Sequence, residues 1–320
     1  MQRRRAIGAA VLVLAVAVMG GCSTSSNTAP GESTGPGRPY VSAHRGGAGY
    51  APENTMMAYR NAARLGVDDF ETDAWQTADG VLVLLHDQTL DRTTNCSGSV
   101  KRKTWAELQA CDAGWWFSPG QGTTSVDDAA SHPARGKGVT VPKAQELFAY
   151  AASFSNRYRP TVTIEIKDTL DAGNEAEALV ALVQASGIKD RIIVQSFSAR
   201  GIDRVKAIDP TIRTLYLTSG LPAPDAALDK AVRDGHDFVA PSASATGLDA
   251  DFVKRAHAAG KGVVPWTPDS ASQLQTLTTM GVDGLITNFP GCLLELQSRL
   301  PSTQLVSPEL GNIDVALCKS

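Results

Sequence analysis

Glu71 and Asp73 stand two residues apart in Phe70-Glu71-Thr72-Asp73-Ala74-Trp75, and Glu165 and Lys167 repeat that spacing at the end of Thr161-Val162-Thr163-Ile164-Glu165-Ile166-Lys167. Residues two apart on a strand face the same way, so each pair offers two polar groups from one face. The β-branched run before Glu165 predicts a buried strand, and a buried carboxylate needs a partner. Three carboxylates gathered at one place repel each other, and a divalent ion resolves that. The pattern therefore points to an oxygen-rich site for one hard cation, Ca2+ or Mg2+, held by Glu71, Asp73 and Glu165. The plainer alternative for the same acids is a set of surface salt bridges.

Of the five histidines, two close strand candidates and precede a charged residue, as His44-Arg45 and His86-Asp87. Two histidines flanking one site can take and give a proton in phosphoryl chemistry. His132 lies in a segment without periodicity, His236 just past a helix candidate and His257 within an alanine-rich one. These three read as ordinary structural histidines.

Residues of this kind need strand ends to position them. From Tyr40 onward, short β-branched runs alternate with helical stretches. Strands are expected over 41–44, 70–75, 81–86, 162–167, 192–197, 212–217, 238–241, 263–267 and 285–287. Helices are expected over 55–65, 143–152, 175–186, 199–208, 225–234, 249–259 and 271–280. Parallel strands need a crossover helix, so this alternation implies a parallel sheet, and eight such units in ~250 residues make a (β/α)8 barrel. Nine strands are one too many, so one of these runs is not a strand or lies outside the barrel. The runs 70–75 and 81–86 are joined by the tight Ala78-Asp79-Gly80 turn with no helix between them. Residues from about 88 to 138 then carry little periodicity and read as a small insertion over the barrel mouth.

The length of 320 residues suits one large barrel with extensions, and 42% hydrophobic with 20% charged residues excludes general disorder. With 30 basic against 33 acidic residues the formal charge is −3, which gives no electrostatic case for nucleic acid. The one apolar run near membrane length is N-terminal, so a multi-span membrane protein is excluded.

That run follows Arg3-Arg4-Arg5 and ends at Met19-Gly20-Gly21-Cys22, the layout of an export signal over residues 1–21. Small residues before a cysteine resemble a bacterial lipobox, with Met19 where Leu or Val is usual; ordinary signal cleavage is the alternative. Lipidation of Cys22 would tether the chain to the cell membrane, and otherwise it would be secreted. Residues 22–39, rich in Ser, Thr, Gly and Pro, form a flexible linker. The folded barrel is expected over 40–300 and a tail over 301–320. Export makes the other four cysteines candidates for disulfides. Four cysteines allow three pairings, and the nearest-neighbour choice is Cys96–Cys111 and Cys292–Cys318.

Taken together, His44-Arg45-Gly46, Pro52-Glu53-Asn54-Thr55, Glu71-Thr72-Asp73, Thr77-Ala78-Asp79-Gly80, His86-Asp87 and Leu90-Asp91-Arg92-Thr93-Thr94 resemble the opening signature of the glycerophosphodiester phosphodiesterase family. Glu165-Ile166-Lys167, Gln195-Ser196-Phe197, Trp266-Thr267 and Gly281-Val282-Asp283-Gly284 continue the likeness in the family's order, over about residues 41–290.

The resemblance implies a TIM-type barrel of the phospholipase-C-like phosphodiesterase kind. It implies hydrolysis of a small-molecule glycerophosphodiester to glycerol 3-phosphate and an alcohol, with a divalent cation on Glu71, Asp73 and Glu165. His44 and His86 would be the acid–base pair, Arg45 and Lys167 would hold the phosphate, and Trp266 would lie at the rim that touches the alcohol. Asn288 stands where the family commonly has Asp. Two readings remain beside it: a sphingomyelinase D-like phospholipase, and a non-catalytic lipoprotein that binds phosphodiesters.

Overall fold

Apolar strands without water on either face can only pair with one another and cover themselves with helices, and this chain does so by closing a barrel. The computed structural model describes residues 38–123, 131–155, 158–168, 170–300, 310 and 316–319. Its strands are β1 (Tyr40–Ala43), β2 (Asp69–Gln76), β3 (Leu82–Leu84), β4 (Thr161–Ile166), β5 (Ile192–Ser196), β6 (Arg213–Thr218), β7 (Phe238–Pro241), β8 (Gly262–Val263) and β9 (Gly284–Thr287). Its helices are α1 (Met56–Leu65), α2 (Trp105–Leu108), α3 (Ala144–Ala152), α4 (Ala172–Ala185), α5 (Ala199–Ile208), α6 (Pro224–Asp234), α7 (Ala250–Ala258), α8 (Ala271–Met280) and α9 (Pro290–Leu296). Hydroxyl and carboxylate caps start several of them: Thr55 for α1, Ser198 for α5, Asp249 for α7 and Ser270 for α8.

The parallel strands run in the order β9-β1-β2-β4-β5-β6-β7-β8. The ring closes between the ends of that order, where Val263 accepts from the Asp283 N–H at 2.9 Å and Pro265 from the Ile286 N–H at 3.1 Å. Trp266 completes the seam, bridged on one side to Ser242 and on the other to Ile286. The result is a (β/α)8 TIM-type barrel. The ninth strand, β3, lies outside it: β3 pairs antiparallel with β2, Trp75 opposite Val83. A turn too short for a crossover helix permits no other pairing.

The segment after β3 carries its own small core, in which Val83, Leu90, Val100, Leu108 and Val141 pack together. Cys96 and Cys111 are bridged there, with Cα atoms 5.6 Å apart. A second bridge joins Cys292 to Cys318 and holds residues 316–319 against the barrel.

The barrel interior is layered. Asp69 lies buried near its N-terminal end, accepting from Ser42 Oγ at 2.6 Å and Thr163 Oγ1 at 3.0 Å. Ile193, Leu215, Phe238, Val264 and Ile286 fill the middle. The carboxylates Glu71, Asp73 and Glu165 occupy the C-terminal end, where enzymes of this fold carry their chemistry.

Several element ends differ from the sequence expectation. His44 lies past β1, in a turn over His44–Gly46 with Arg45 at φ 53°. The chain turns there because α1 comes close: a Cβ on Gly46, itself at φ 83°, would lie 2.6 Å from Ala58 Cβ. His86 and Lys167 likewise follow β3 and β4 rather than end them. The proposed signal over 1–21, Cys22, the linker to residue 37 and most of the 301–320 tail lie outside the described residues. Among the described residues no helix is long and apolar enough to cross a membrane.

Candidate active site

Neighbouring strands bring the acids together. β2 and β4 pair in parallel with Asp73 beside Glu165, and Glu165 is in turn beside Gln195 of β5. One carboxylate oxygen from each of Glu71, Asp73 and Glu165 lies within 4.8 Å of the others, and all three residues are buried. Lys167 Nζ lies 3.1 Å from Glu165 Oε1 and 3.5 Å from Asp73 Oδ1. Arg45 approaches from β1: its N–H donates to Glu71 Oε2 at 2.7 Å, and its guanidinium lies 3.3 Å from Asp73 Oδ2 and 2.9 Å from Glu53 Oε1. The positive φ of Arg45 lets backbone and side chain serve the same cluster from one residue.

The histidines have different partners. His44 Nδ1 lies 2.7 Å from Asn288 Oδ1, and its Nε2 lies 4.0 Å from Glu71 Oε2. His86 Nδ1 lies 2.7 Å from Asp87 Oδ1. Arg92 then ties the region together, donating to Asp87 Oδ2 at 2.7 Å and to Glu53 Oε2 at 2.8 Å. His44, Arg45, Glu71, His86, Glu165 and Trp266 share one cleft. Trp266 forms its wall, edge-on to Phe197 at 5.2 Å, with its indole N–H given to Ala240 O.

The charges respond to this crowding. Burial, and next the Arg45 charge, pull the His44 imidazole down to about 3, so it is neutral at pH 7. Burial and the neighbouring Asp73 push the Glu71 carboxyl well above the usual range, and burial pushes Glu165 up to about 8. Burial acts on Asp73 too, but Lys167 and Arg45 outweigh it and hold that carboxyl well below the usual range. Around the cleft, Glu53, Glu71, Asp73, Asp87 and Glu165 face the cations Arg45, Arg92 and Lys167. Three cations cannot offset five ionised carboxylates, and the raised Glu71 and Glu165 carboxyls mark that shortfall, which fits one divalent cation on an all-oxygen donor set.

Glu53, Arg92 and Gln195 stood in the motifs of the sequence but had no role there. The structure gives Glu53 to both Arg45 and Arg92, and makes Gln195 Nε2 a donor to Glu71 Oε1 at 2.7 Å. His236 and His257 do not line the cleft. His236 is fully buried between Thr214 and Asp203, and His257 pairs with Asp283. His236, Asp203 and Asp234 also form an acidic group, but Lys230 Nζ lies 2.8 Å from Asp203 and 2.7 Å from Asp234 and supplies its counter-charge.

The same barrel recurs among solved phosphodiesterases. The structure of an Oleispira antarctica phosphodiesterase in complex with the product sn-glycerol-3-phosphate superimposes with a TM-score of 0.68 at 26% identity, covering 82% of this chain and 96% of that one. The glycerophosphodiester phosphodiesterase of Agrobacterium tumefaciens strain C58 gives 0.63 at 25% identity, over 80% and 99% of the two chains. Fold and site thus place the chain among the phosphodiesterase barrels. Its sequence narrows the class: residues 44–292 match the model of the Glycerophosphoryl diester phosphodiesterase family, and the chain belongs to that family. It is similar to the glycerophosphodiester phosphodiesterase of Bacillus subtilis strain 168, with 30% identity over 282 residues, 83% of this chain and 88% of the relative. A Caldanaerobacter subterraneus enzyme of the same description is 32% identical over 260 residues, covering 80% and 96%. The chain is accordingly a phosphoric diester hydrolase acting on glycerophosphodiesters, which sets aside the sphingomyelinase D-like and purely binding readings.

Proposed function

We propose that this cleft cleaves glycerophosphodiesters to glycerol 3-phosphate and an alcohol, with one divalent cation held by Glu71, Asp73 and Glu165. The observation that carries this reading is the buried three-carboxylate cluster, paired with Arg45 and Lys167, beside the cleft that Glu71 and Glu165 line together with His44 and His86. The product complex of the Oleispira antarctica relative supports glycerol 3-phosphate as the product. A divalent cation in the cluster supplies charge neutralisation for the non-bridging phosphate oxygens.

The chain's own residues do the rest. Arg45 and Lys167 bind the phosphate, Arg45 by a fork of donors and Lys167 as a point charge. Neutral His44 takes the proton of the attacking hydroxyl, whether from water or from the glycerol moiety itself. His86 gives its proton to the departing alkoxide. Trp266 closes the rim against the alcohol. The test is hydrolysis of glycerophosphocholine followed by detection of glycerol 3-phosphate. Activity that disappears in chelator and returns with Ca2+ or Mg2+ is expected; full activity in chelator would overturn the metal role.

The reading extends to location. The N-terminal arginines, the apolar run and Cys22 support export with a lipid on Cys22, or secretion without one. Arg38 and Pro39 enter β1 at the end of the barrel opposite the mouth, so such a tether would leave the cleft unobstructed. Cys22→Ser should move the mature protein from the membrane fraction to the soluble one, and an unchanged distribution would reject the anchor.

A further inference from the structure

Asn288, which holds His44 Nδ1 at 2.7 Å, is itself held. Its side-chain Nδ2 donates to Asp269 Oδ2 at 2.8 Å, and its backbone N–H donates to Asp269 Oδ1 at 3.0 Å. The Thr287 hydroxyl adds a further donor to Asp269 Oδ1 at 3.2 Å. Three donors converge on one side chain, the environment of a carboxylate. A carboxylate accepts and does not donate, so the amide nitrogen of Asn288 must face Asp269 and its oxygen must face His44. An amide oxygen needs a donor, and His44 Nδ1 has to supply it. A neutral imidazole carries one N–H, so its other nitrogen keeps the lone pair. That nitrogen, Nε2, is the one directed toward Glu71 and the cleft.

We propose that Asp269 and Asn288 are positioning residues that lock His44 in its Nδ1–H tautomer and aim the basic Nε2 at the attacking hydroxyl. The three residues come from three different places in the fold. Asp269 precedes α8, Asn288 follows β9 and His44 follows β1. The support reaches the C-terminal segment as well: the Lys319 N–H donates to Asp269 O at 3.1 Å, and Cys318 beside it is bridged to Cys292. An amide fixes the tautomer without adding a negative charge next to the base. His86 differs in that its partner, Asp87, is a carboxylate.

This inference rests on the reading of His44 as the base, but the tautomer is measured without substrate, so the two can fail separately. Histidine-selective 15N labelling of the whole chain at neutral pH reads the tautomer directly, the His44 signals being those absent from His44→Gln. The expected result is a proton on Nδ1. A proton on Nε2 in the wild-type protein would overturn the proposal, whatever the activity.

Two variants give a kinetic counterpart. Asn288→Asp, made together with Asp269→Asn so that a donor still faces it, retains an acceptor for Nδ1–H, whereas Asn288→Leu removes it. We expect Asn288→Leu to lower kcat about 100-fold with KM little changed, and Asn288→Asp with Asp269→Asn to stay within about tenfold of wild type, the range seen when outer partners of functional histidines are lost. Equal losses in the two variants would mark Asn288 as merely structural and reject the positioning role.

Discussion

His86 Nδ1 and Asp87 Oδ1 lie 2.7 Å apart, a histidine paired with a carboxylate, whereas the histidine across the cleft meets the amide of Asn288. A carboxylate stabilises an imidazolium more strongly than a neutral amide does. The pairing suits the proposed roles, His86 as proton donor and His44 as proton acceptor. A nitrophenyl phosphodiester, whose leaving group needs little protonation, tests these roles. His86→Ala should lose far less activity on it than on glycerophosphocholine, where a general acid contributes about 100-fold or more. His44→Ala should lose heavily on both substrates. Equal losses by the two variants on both would remove the division of roles.

The carboxylate cluster predicts a second outcome. Glu71→Gln removes one of the three proposed carboxylate ligands and should weaken divalent-ion binding at least about tenfold, measured by calorimetric titration of the metal into the protein. Wild-type affinity in that variant would show that the ion binds elsewhere.

Glu175 sits buried at the start of α4, where its Oε2 accepts from the Asp168 N–H at 2.9 Å. Burial pushes its carboxyl up to about 8, against the hydrogen bond that favours the anion. The folded state thus holds this proton more tightly than the unfolded chain does. Its contribution to stability is complete below the ordinary carboxylate range and is lost as pH rises toward 8. Between pH 5 and pH 9 the wild type should lose on the order of 3–5 kcal/mol relative to Glu175→Gln. Parallel urea-melt pH profiles for the two proteins would contradict this.

The two bridges close chain segments whose ends are 15 and 26 residues apart. Cys96→Ser with Cys111→Ser should cost ~3 kcal/mol by loop entropy, read from urea unfolding. Non-reducing peptide mapping should recover both pairs, and a Cys96–Cys318 peptide would refute the pairing.

Much of the site was legible because its signals are local. The period of two in Glu71-Thr72-Asp73 and Glu165-Ile166-Lys167 places both side chains of each pair on one face wherever the strand lies. The order of motifs around His44 and His86 carried the family. Gln195, Glu53 and Arg92 had no legible role, because each acts on a residue from another strand or loop: Gln195 on Glu71, and Arg92 and Glu53 on each other.

By itself the sequence determined the strand–helix alternation and the residue types at the strand ends, since each depends on neighbours in the chain. Tertiary structure alone decided which of nine strands stays out of the ring, how Trp266 seals it between β7 and β9, and which partner each histidine receives. Asp269, Asn288 and His44 meet only after the barrel closes β9 against β1, joining positions 244 residues apart. A contact of that separation depends on how the strands wrap around the ring, and no local period records it.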